Sequence, residues 1–490
     1  MESACEIGQT VTFRAMPSSI INPMKASCAL LTVLCLCGAL PSSAQYKTLN
    51  PQVTKIVSDV SPDRIATILK KLEGFGTRNT FSSQDDPVRG IGAARKWIYE
   101  QFRSYSPRLE VSYDQYRLKK DDTRGSRIPN DVDLYNVVAV LPGTVNKEQR
   151  IIISGHYDSV VLTRAPGATP LGPGETPPAG ANAPPPRDPN LDAPGVTDDG
   201  SGTACVMELA RVLSQYQFEK TLVFVAFAGE ENGLLGSTLY AQKAHSQNQK
   251  IEAVLNNDII GSDTSGNGRI ENSRVNVFSE DPIDSPSRQL ARYIREMGQR
   301  YLPSMKVDLM FRADRFGRGG DHTPFNQEGF AGVRFSSPQE NFANQHSLTD
   351  TFANTSVPYI ARVVRVNAAA AASLAWAPRS PAIMEEIERN GRKMPSLMLT
   401  RGKSRYDALL RWKHENPEPD LAGYAVVMRS TTAPFWEPDV FVGNVKEYTL
   451  PDVSIDEVVF GVKAVDKDGN ESLVNSYIGP PRPKRTIQTY

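Results

Sequence analysis

Three short, unbroken apolar runs mark the middle of the chain, and each ends in ionisable residues. Ile151-Ile152-Ile153 leads through Ser154-Gly155 to His156-Tyr157-Asp158. Leu222 to Ala226 leads to Glu230-Glu231, and Ala253-Val254-Leu255 leads through Asn256-Asn257 to Asp258. Apolar runs of this length without alternation predict strands buried on both faces, and the helical stretches between them predict an open α/β sheet. Thr203 to Leu213 is one such helical stretch. In sheets of this kind ligands and catalytic groups gather beyond the carboxyl ends of the strands. A Glu-Glu step alone is commonly a solvated turn; three ionisable strand ends together predict a site.

The same reading extends outward. Ser61-Pro62-Asp63 caps a helix through Leu72, and a second runs near Gly92 to Tyr105 with Trp97, Ile98 and Phe102 on its buried face. Strands are predicted near Leu109 to Tyr116 and Asn136 to Leu141. Val357 to Trp376 reads as a helix opened near Pro358 and stopped by Pro378. Beyond a linker at 379–394 the pattern changes to short alternating strands: Ala408 to Trp412, Gly423 to Arg429, Glu447 to Leu450 and Val458 to Val465. Turn signals such as Asp468-Gly469-Asn470 separate them, which predicts a small all-β sandwich over 395–480, followed by a tail at 481–490. The stretch 164–194 holds ten of the 36 prolines and reads as a long loop inserted in the α/β part, at its sharpest a lid over the site.

At 490 residues the chain exceeds one ordinary core, which agrees with an α/β domain at 45–378 and the sandwich. Lysine plus arginine and aspartate plus glutamate each total 55, so no basic surface for nucleic acid is expected. Met24-Lys25, the apolar stretch Ala29 to Leu40 and Ser42-Ser43-Ala44 form a secretory pattern. Residues 1–44 are therefore expected to be a leader, with Met24 as the true start and a secreted or periplasmic product. The apolar stretch is too short for a membrane span. Four of the five cysteines fall in that leader, so only Cys205 is left and no internal disulfide is expected.

Of the five histidines, His245 lies in a polar helical stretch and His414 in the sandwich, leaving His156, His322 and His346 for the α/β part. Zinc prefers imidazole and carboxylate ligands, and hydrolytic sites often hold two ions about 3.5–4 Å apart. A bridging carboxylate suits that spacing because it screens the repulsion between the cations. Asp198, in the glycine-bounded turn G-V-T-D-D-G-S-G at Gly195 to Gly202, is the candidate. One residue of the Glu230-Glu231 pair can ligate while its neighbour serves an attacking water. His156 and Asp158 lie two apart on an extended chain and point the same way, so Asp158 can receive a ring N–H and orient the imidazole.

GHYDS at 155–159, GVTDDGSG at 195–202, FAGEENGLLGS at 227–237, NNDIIG at 256–261 and QHSLTDT at 345–351 occur in one order and spacing. Over roughly residues 50–378 the chain thereby resembles the co-catalytic zinc aminopeptidases of clan MH. These include the bacterial leucyl aminopeptidases, with glutamate carboxypeptidase II and glutaminyl cyclases as relatives. The resemblance implies a mixed, mostly parallel eight-stranded sheet between helices and two zinc ions per chain. It makes His156 and Asp258 ligands of one zinc, Glu231 and His346 ligands of the other, and Asp198 the bridge. Glu230 then matches the catalytic acid/base and Asp158 the orienting acid. In relatives the peptide after the bridging aspartate is often cis. His322, in GGDHTPF, matches a position near the pocket and outside the metal shell. Many relatives place a tyrosine before the last histidine as a donor to the developing oxyanion; here Gln345 stands there, so that donor is unassigned.

The segments LLRWKHE at 409–415, DLAGYAVVMRS at 420–430 and FGVKAVDKDGNES at 460–472 resemble a fibronectin type III module, with Trp412 and Tyr424 as core residues. Such a module implies a spacer or a surface that meets a protein or carbohydrate partner. The resemblance as a whole implies a metallo-aminopeptidase acting on peptides. Three rivals stand beside it: a carboxypeptidase, using Arg312, Arg315 or Arg318 for a substrate carboxylate; a glutaminyl cyclase; and a lapsed enzyme kept as a binding domain.

Overall fold

The computed structural model describes residues 49–120, 128–163, 188–437 and 439–479. The expected leader, the tail at 481–490 and most of the proline-rich insertion lie outside the described residues.

Eight strands form one sheet: β1 (Glu110–Leu118), β2 (Val132–Leu141), β3 (Asn146–His156), β4 (Lys220–Phe227), β5 (Lys250–Asn257), β6 (Arg274–Ser279), β7 (Lys306–Met310) and β8 (Gly332–Ser336). Their order is β1-β2-β4-β3-β5-β8-β6-β7. The four central strands, β4, β3, β5 and β8, are parallel to one another. β1, β2 and β6 join antiparallel neighbours. The open α/β sheet expected from the apolar runs forms, and it is mixed, mostly parallel and eight-stranded, as the resemblance implied.

Helices cover it: α1 (Pro51–Ser58), α2 (Pro62–Glu73), α3 (Ile91–Tyr105), α4 (Ser201–Leu213), α5 (Leu235–Ser246), α6 (Pro286–Tyr301), α7 (His322–Gln327) and α8 (Val357–Trp376). Alternation along the buried strands divides the core between two faces. Ile151, Ile153, Leu222 and Phe224 share one apolar cluster with α1, α2, α3, α4, α6 and α8. Ile152, Val223, Val225 and Phe227 belong to another with Tyr240 of α5 and Phe325 of α7. β4 is buried along its whole length, and from Leu222 to Phe227 every residue on both faces is apolar. Local signals start the helices where packing needs them. The Ser61 side chain accepts from Arg64 N–H at α2, and the Ser285 side chain accepts from Arg288 N–H at α6, each with proline at the first helical turn.

Topology places the site. From β3 the chain crosses through α4 to β4 on one side, then returns through α5 to β5 on the other. A crevice opens at the carboxyl ends of strands where the winding direction reverses in this way. Ser154 pairs with Asn256 across β3 and β5, and continuing that register by two residues brings Asp258 level with His156.

The C-terminal part is antiparallel: β9 (Met384–Arg389), β10 (Arg392–Leu397), β11 (Leu399–Arg401), β12 (Ala408–Arg411), β13 (Leu421–Ser430), β14 (Asp439–Gly443), β15 (Glu447–Leu450), β16 (Val458–Asp466) and β17 (Asn475–Ser476). Sheets β11-β12-β15 and β14-β13-β16-β17 enclose one core in which the Trp412 and Tyr424 rings lie 5.3 Å apart. The stretch read as a linker instead forms the β9–β10 hairpin. Its residues are charged on both faces, so no apolar alternation announced it. The sandwich is anchored on α6 and the turn before it. Arg429 makes two bonds to Asp284, at 2.8 and 2.6 Å, and the Trp436 indole N–H donates to Gln289 at 3.0 Å. Among the described residues no helix is long and apolar enough to cross a membrane.

Candidate metal centre

His156 closes β3, and Asp158 follows on the same buried strand extension. His156 Nε2 lies 3.3 Å from Asp198 Oδ1 and 3.7 Å from Asp258 Oδ1. On the other side of Asp198, His346 Nε2 lies 3.1 Å from Asp198 Oδ2 and 3.0 Å from Glu231 Oε1. Two groups with metal-ligand geometry result, His156–Asp198–Asp258 and Asp198–Glu231–His346, and Asp198 belongs to both. All seven residues singled out in the sequence meet in one crevice. His322 does not join: its Nε2 lies 2.8 Å from the Ala313 carbonyl oxygen.

The turn that delivers Asp198 is specified closely. Gly195 has φ +52°, and a Cβ there would sit 2.5 Å from Ser159 Cβ. A Cβ on Gly202 would fall 2.1 Å from the Asn257 carbonyl oxygen, so glycine lets α4 approach β5. The Asp198-Asp199 peptide is cis. Asp199 points away from the crevice and ties its parts together, accepting the backbone N–H of His156 at 3.1 Å, Gly202 at 2.8 Å and Ile259 at 3.3 Å.

Asp158 does more than the sequence predicted, and its contact with the imidazole differs from expectation. The nearest acceptor for His156 Nδ1 is the Asp158 backbone carbonyl at 3.1 Å, with the carboxylate at 3.5 Å. The carboxylate instead accepts the backbone N–H groups of Glu230 at 3.2 Å and Glu231 at 3.3 Å and the Thr80 hydroxyl at 3.1 Å. It therefore locks the Glu230-Glu231 loop to the end of β3. Glu230 Oε2 lies 4.0 Å from His156 Nε2, at the edge of the two ligand groups.

Several positioning residues escaped sequence reading. Asp350 accepts the backbone N–H groups of Thr197 at 2.8 Å and Asp198 at 3.0 Å. The buried Arg78 donates to the carbonyls of Leu72, Tyr157, Pro194 and Gly195. Arg334, a cation inside β8, lies 3.2 Å from Asp258 Oδ2 and 2.9 Å from Asp314 Oδ1. Asp350 lies in the QHSLTDT segment, where its acidic side chain after a ligand was the available signal. The roles of Arg78 and Arg334 depend on contacts far away in sequence.

The electrostatics are those of a cation site. Burial alone would lower the His156 pKa, but Glu230, Asp158, Asp198 and Asp258 raise it well above the usual imidazole range. Burial likewise opposes the His346 proton, yet Glu231 and Asp198 lift its pKa to about 10. Burial lifts Glu230 well above the ordinary carboxyl range; His156 opposes this, while Asp258, Glu231 and Asp321 reinforce it. His156 Nε2 and Asp258 Oδ1 are buried and make no hydrogen bond, although each faces the other ligand group members. Unpaired buried lone pairs of this kind are costly unless a metal takes them. The donor set of imidazole and carboxylate fits zinc. A third acidic group, Glu296, Asp439 and Glu471, is answered differently: Lys463 lies among the three, 3.0 Å from Asp439 and 3.6 Å from Glu296.

A mixed sheet with two ligand groups sharing one carboxylate, at the carboxyl ends of its parallel strands, defines a zinc hydrolase of aminopeptidase-like fold. The comparisons carry this to a family. The signature of peptidase family M28 matches residues 136–371. A probable zinc metalloprotease of Pyricularia oryzae is 37% identical over 454 residues, covering 85% of this chain and 82% of that one. A probable zinc metalloprotease of Leptosphaeria maculans is 34% identical over 448 residues, covering 86% and 95%. The chain belongs to peptidase family M28, and zinc is its cofactor. The solved LapA aminopeptidase of Legionella pneumophila aligns with a TM-score of 0.48 at 20% identity, over 67% of this chain and 76% of that one.

Proposed function

We propose that this protein is a secreted or periplasmic two-zinc aminopeptidase that releases the first residue of a peptide. The observation that carries the reading is Asp198, whose two oxygens face two separate ligand groups. In this reading His156, Asp198 and Asp258 hold one zinc, and Asp198, Glu231 and His346 hold the other. Zinc bound there supplies Lewis acidity and a water nucleophile of lowered pKa. Glu230 takes the proton of the attacking water and returns it to the departing amine. Asp158 holds Glu230 in reach through the backbone and steadies the His156 ring.

A free amino terminus is a cation, and the crevice concentrates carboxylates: Asp158, Asp198, Glu230, Glu231, Asp258 and the buried Asp321. That charge balance favours an amine over a carboxylate at the reacting end. Of the three arginines a carboxypeptidase would draw on, Arg315 is already paired with Asp314 and Glu340. A one-zinc glutaminyl cyclase has no use for the second ligand group, and a lapsed enzyme has none for Glu230. The signal-like leader supports export. We further read the sandwich as a fibronectin type III-like brace for α6, with any protein or carbohydrate partner on its outer face.

Zinc counting joined to peptide assays tests the proposal. Free-amine peptides should be cleaved and their N-blocked counterparts spared. Cleavage of N-blocked peptides alone would overturn it. The amino terminus of protein recovered from culture medium, beginning near residue 45, tests export, and retention of the full chain in the cell would refute it.

A further inference from the structure

A hydrolytic centre also needs a donor for the oxygen that gains charge, and the side chain before His346 is engaged with other partners. Gln345 Nε2 donates to Glu340 Oε2 at 3.0 Å, and Gln345 Oε1 accepts from Arg318 Nη1 at 3.4 Å. Glu340 is itself saturated: the same Oε2 accepts from Arg315 at 3.1 Å and Arg318 at 3.4 Å, and Oε1 accepts from Ser336 at 3.0 Å. Arg318 is thus held by two long bonds on one nitrogen. Its Nε and Nη2 make no hydrogen bond among the described residues, and its side chain is 33% exposed. Burial would lower its pKa, but Asp198, ahead of Glu340, Asp258 and Glu231, raises it above the ordinary guanidinium range. Gln345 directly precedes His346, and two residues beyond Arg318 a Cβ on Gly320 would lie 3.3 Å from Asp258 Oδ2, so the Arg318 segment borders both ligand groups. Arg318 also lines a pocket of about 660 Å³ bordered by Phe316 and Phe342, which are 91% and 66% exposed. A substrate side chain resting on those rings would exclude water and strengthen the guanidinium's field.

We propose that Arg318 is a catalytic residue whose unpaired N–H groups donate to the carbonyl oxygen of the scissile bond, with Glu340 and Gln345 as its positioning residues. The inference rests on the peptidase reading above. As the water oxygen bonds to the carbonyl carbon, the π electrons move onto the carbonyl oxygen, and Arg318 stabilises that negative charge without giving up a proton. The water proton passes to Glu230. When the C–N bond breaks, the carbonyl reforms and Glu230 protonates the leaving amine. Preorganised donors of this type account for about 10²–10³ in turnover.

The test compares wild type, Arg318→Gln and Arg318→Lys on one peptide in two forms, C-terminally amidated and with a free carboxylate. Zinc content and the affinity of a phosphinic peptide, a tetrahedral anion, are measured beside kcat and KM. Arg318→Gln should keep its zinc, lose about 10²–10³ in kcat on both forms with little change in KM, and bind the phosphinic peptide correspondingly more weakly. Arg318→Lys should recover part of each loss. Unchanged kcat, or loss of zinc, overturns the inference. A raised KM confined to the free-carboxylate peptide also overturns it, and assigns Arg318 to a substrate carboxylate instead. Wild type that holds two zincs yet cleaves neither form refutes the aminopeptidase reading itself, before any variant is considered.

Discussion

Asp350 reaches back across 152 residues of chain to accept the backbone N–H of Asp198 at 3.0 Å. Its second oxygen takes the N–H of Thr197, and its own backbone carbonyl takes that of Val196. A carboxylate that ligates nothing thereby fixes the turn presenting the shared ligand. It also links the His346 loop to that turn, so the two sides of the centre move as one.

Asp350→Ala should therefore weaken zinc binding about 10–100-fold, the usual consequence of removing a residue that orients ligands. It should also destabilise the fold by about 1–3 kcal/mol, because two buried N–H groups lose their acceptor. Zinc titration against a chelator and thermal melting of the same sample measure both. Unchanged zinc affinity would show that the turn holds its shape without Asp350.

Glu230→Gln keeps the volume of the side chain and removes the proton acceptor. Zinc content should stay at the wild-type level while kcat falls by about 10²–10⁴. Metal analysis and steady-state kinetics on one preparation separate this from ligand loss. A variant that loses zinc would move Glu230 into the metal shell.

Glu219, at the turn before β4, lies beside the sandwich. Burial pushes its pKa up to about 8, helped by Asp420, Glu418 and Asp466 and opposed by Lys220. Its buried Oε2 makes no hydrogen bond. Between about pH 4.5 and 8 the folded protein keeps a proton there that the unfolded chain has released, so stability falls as pH rises through that window. Glu219→Gln should flatten this decline, with melting curves of variant and wild type converging near pH 5 and separating in the variant's favour by pH 8. Parallel curves would refute the assignment.

The sandwich bridge is buried on both sides. Removing the cation in Arg429→Met leaves Asp284 with the neutral Gln289 amide at 3.1 Å and a longer 3.5 Å contact to Arg292. A loss of about 3–5 kcal/mol is expected, measured by denaturant unfolding. The matching double variant, Asp284→Leu with Arg429→Met, should recover much of it. If both variants behave like wild type, the sandwich is tethered more loosely than its buried contacts require.

Legibility in the sequence followed the range of the interactions. Helix α8 was visible end to end because Pro358 and Pro378 act locally, and β3, β4 and β5 because burial on both faces leaves unbroken apolar runs. β8 was hidden by Arg334, a charge in mid-strand that is stable only because Asp258 and Asp314, distant in sequence, flank it. β6, β7 and α6 were not read from the sequence, although Leu290, Ile294 and Met297 line one buried face of α6. At the site, His156, Glu230, Glu231 and Asp258 were legible because each lies at or just beyond the end of an apolar strand. Asp199, Asp350 and Arg78 hold backbone groups, and a residue that recognises a backbone leaves no mark on the side chains opposite it. Arg318 showed as one of three arginines, but its link through Gln345 and Glu340 to the His346 loop belongs to the folded chain alone.

The sharing of Asp198 between two ligand groups is tested most directly by native mass spectrometry of metal-loaded protein. Wild type should carry two zinc ions per chain, and Asp198→Ala should lose both under conditions where wild type keeps them. A wild-type chain with a single zinc, or an Asp198→Ala chain that still holds two, would contradict it.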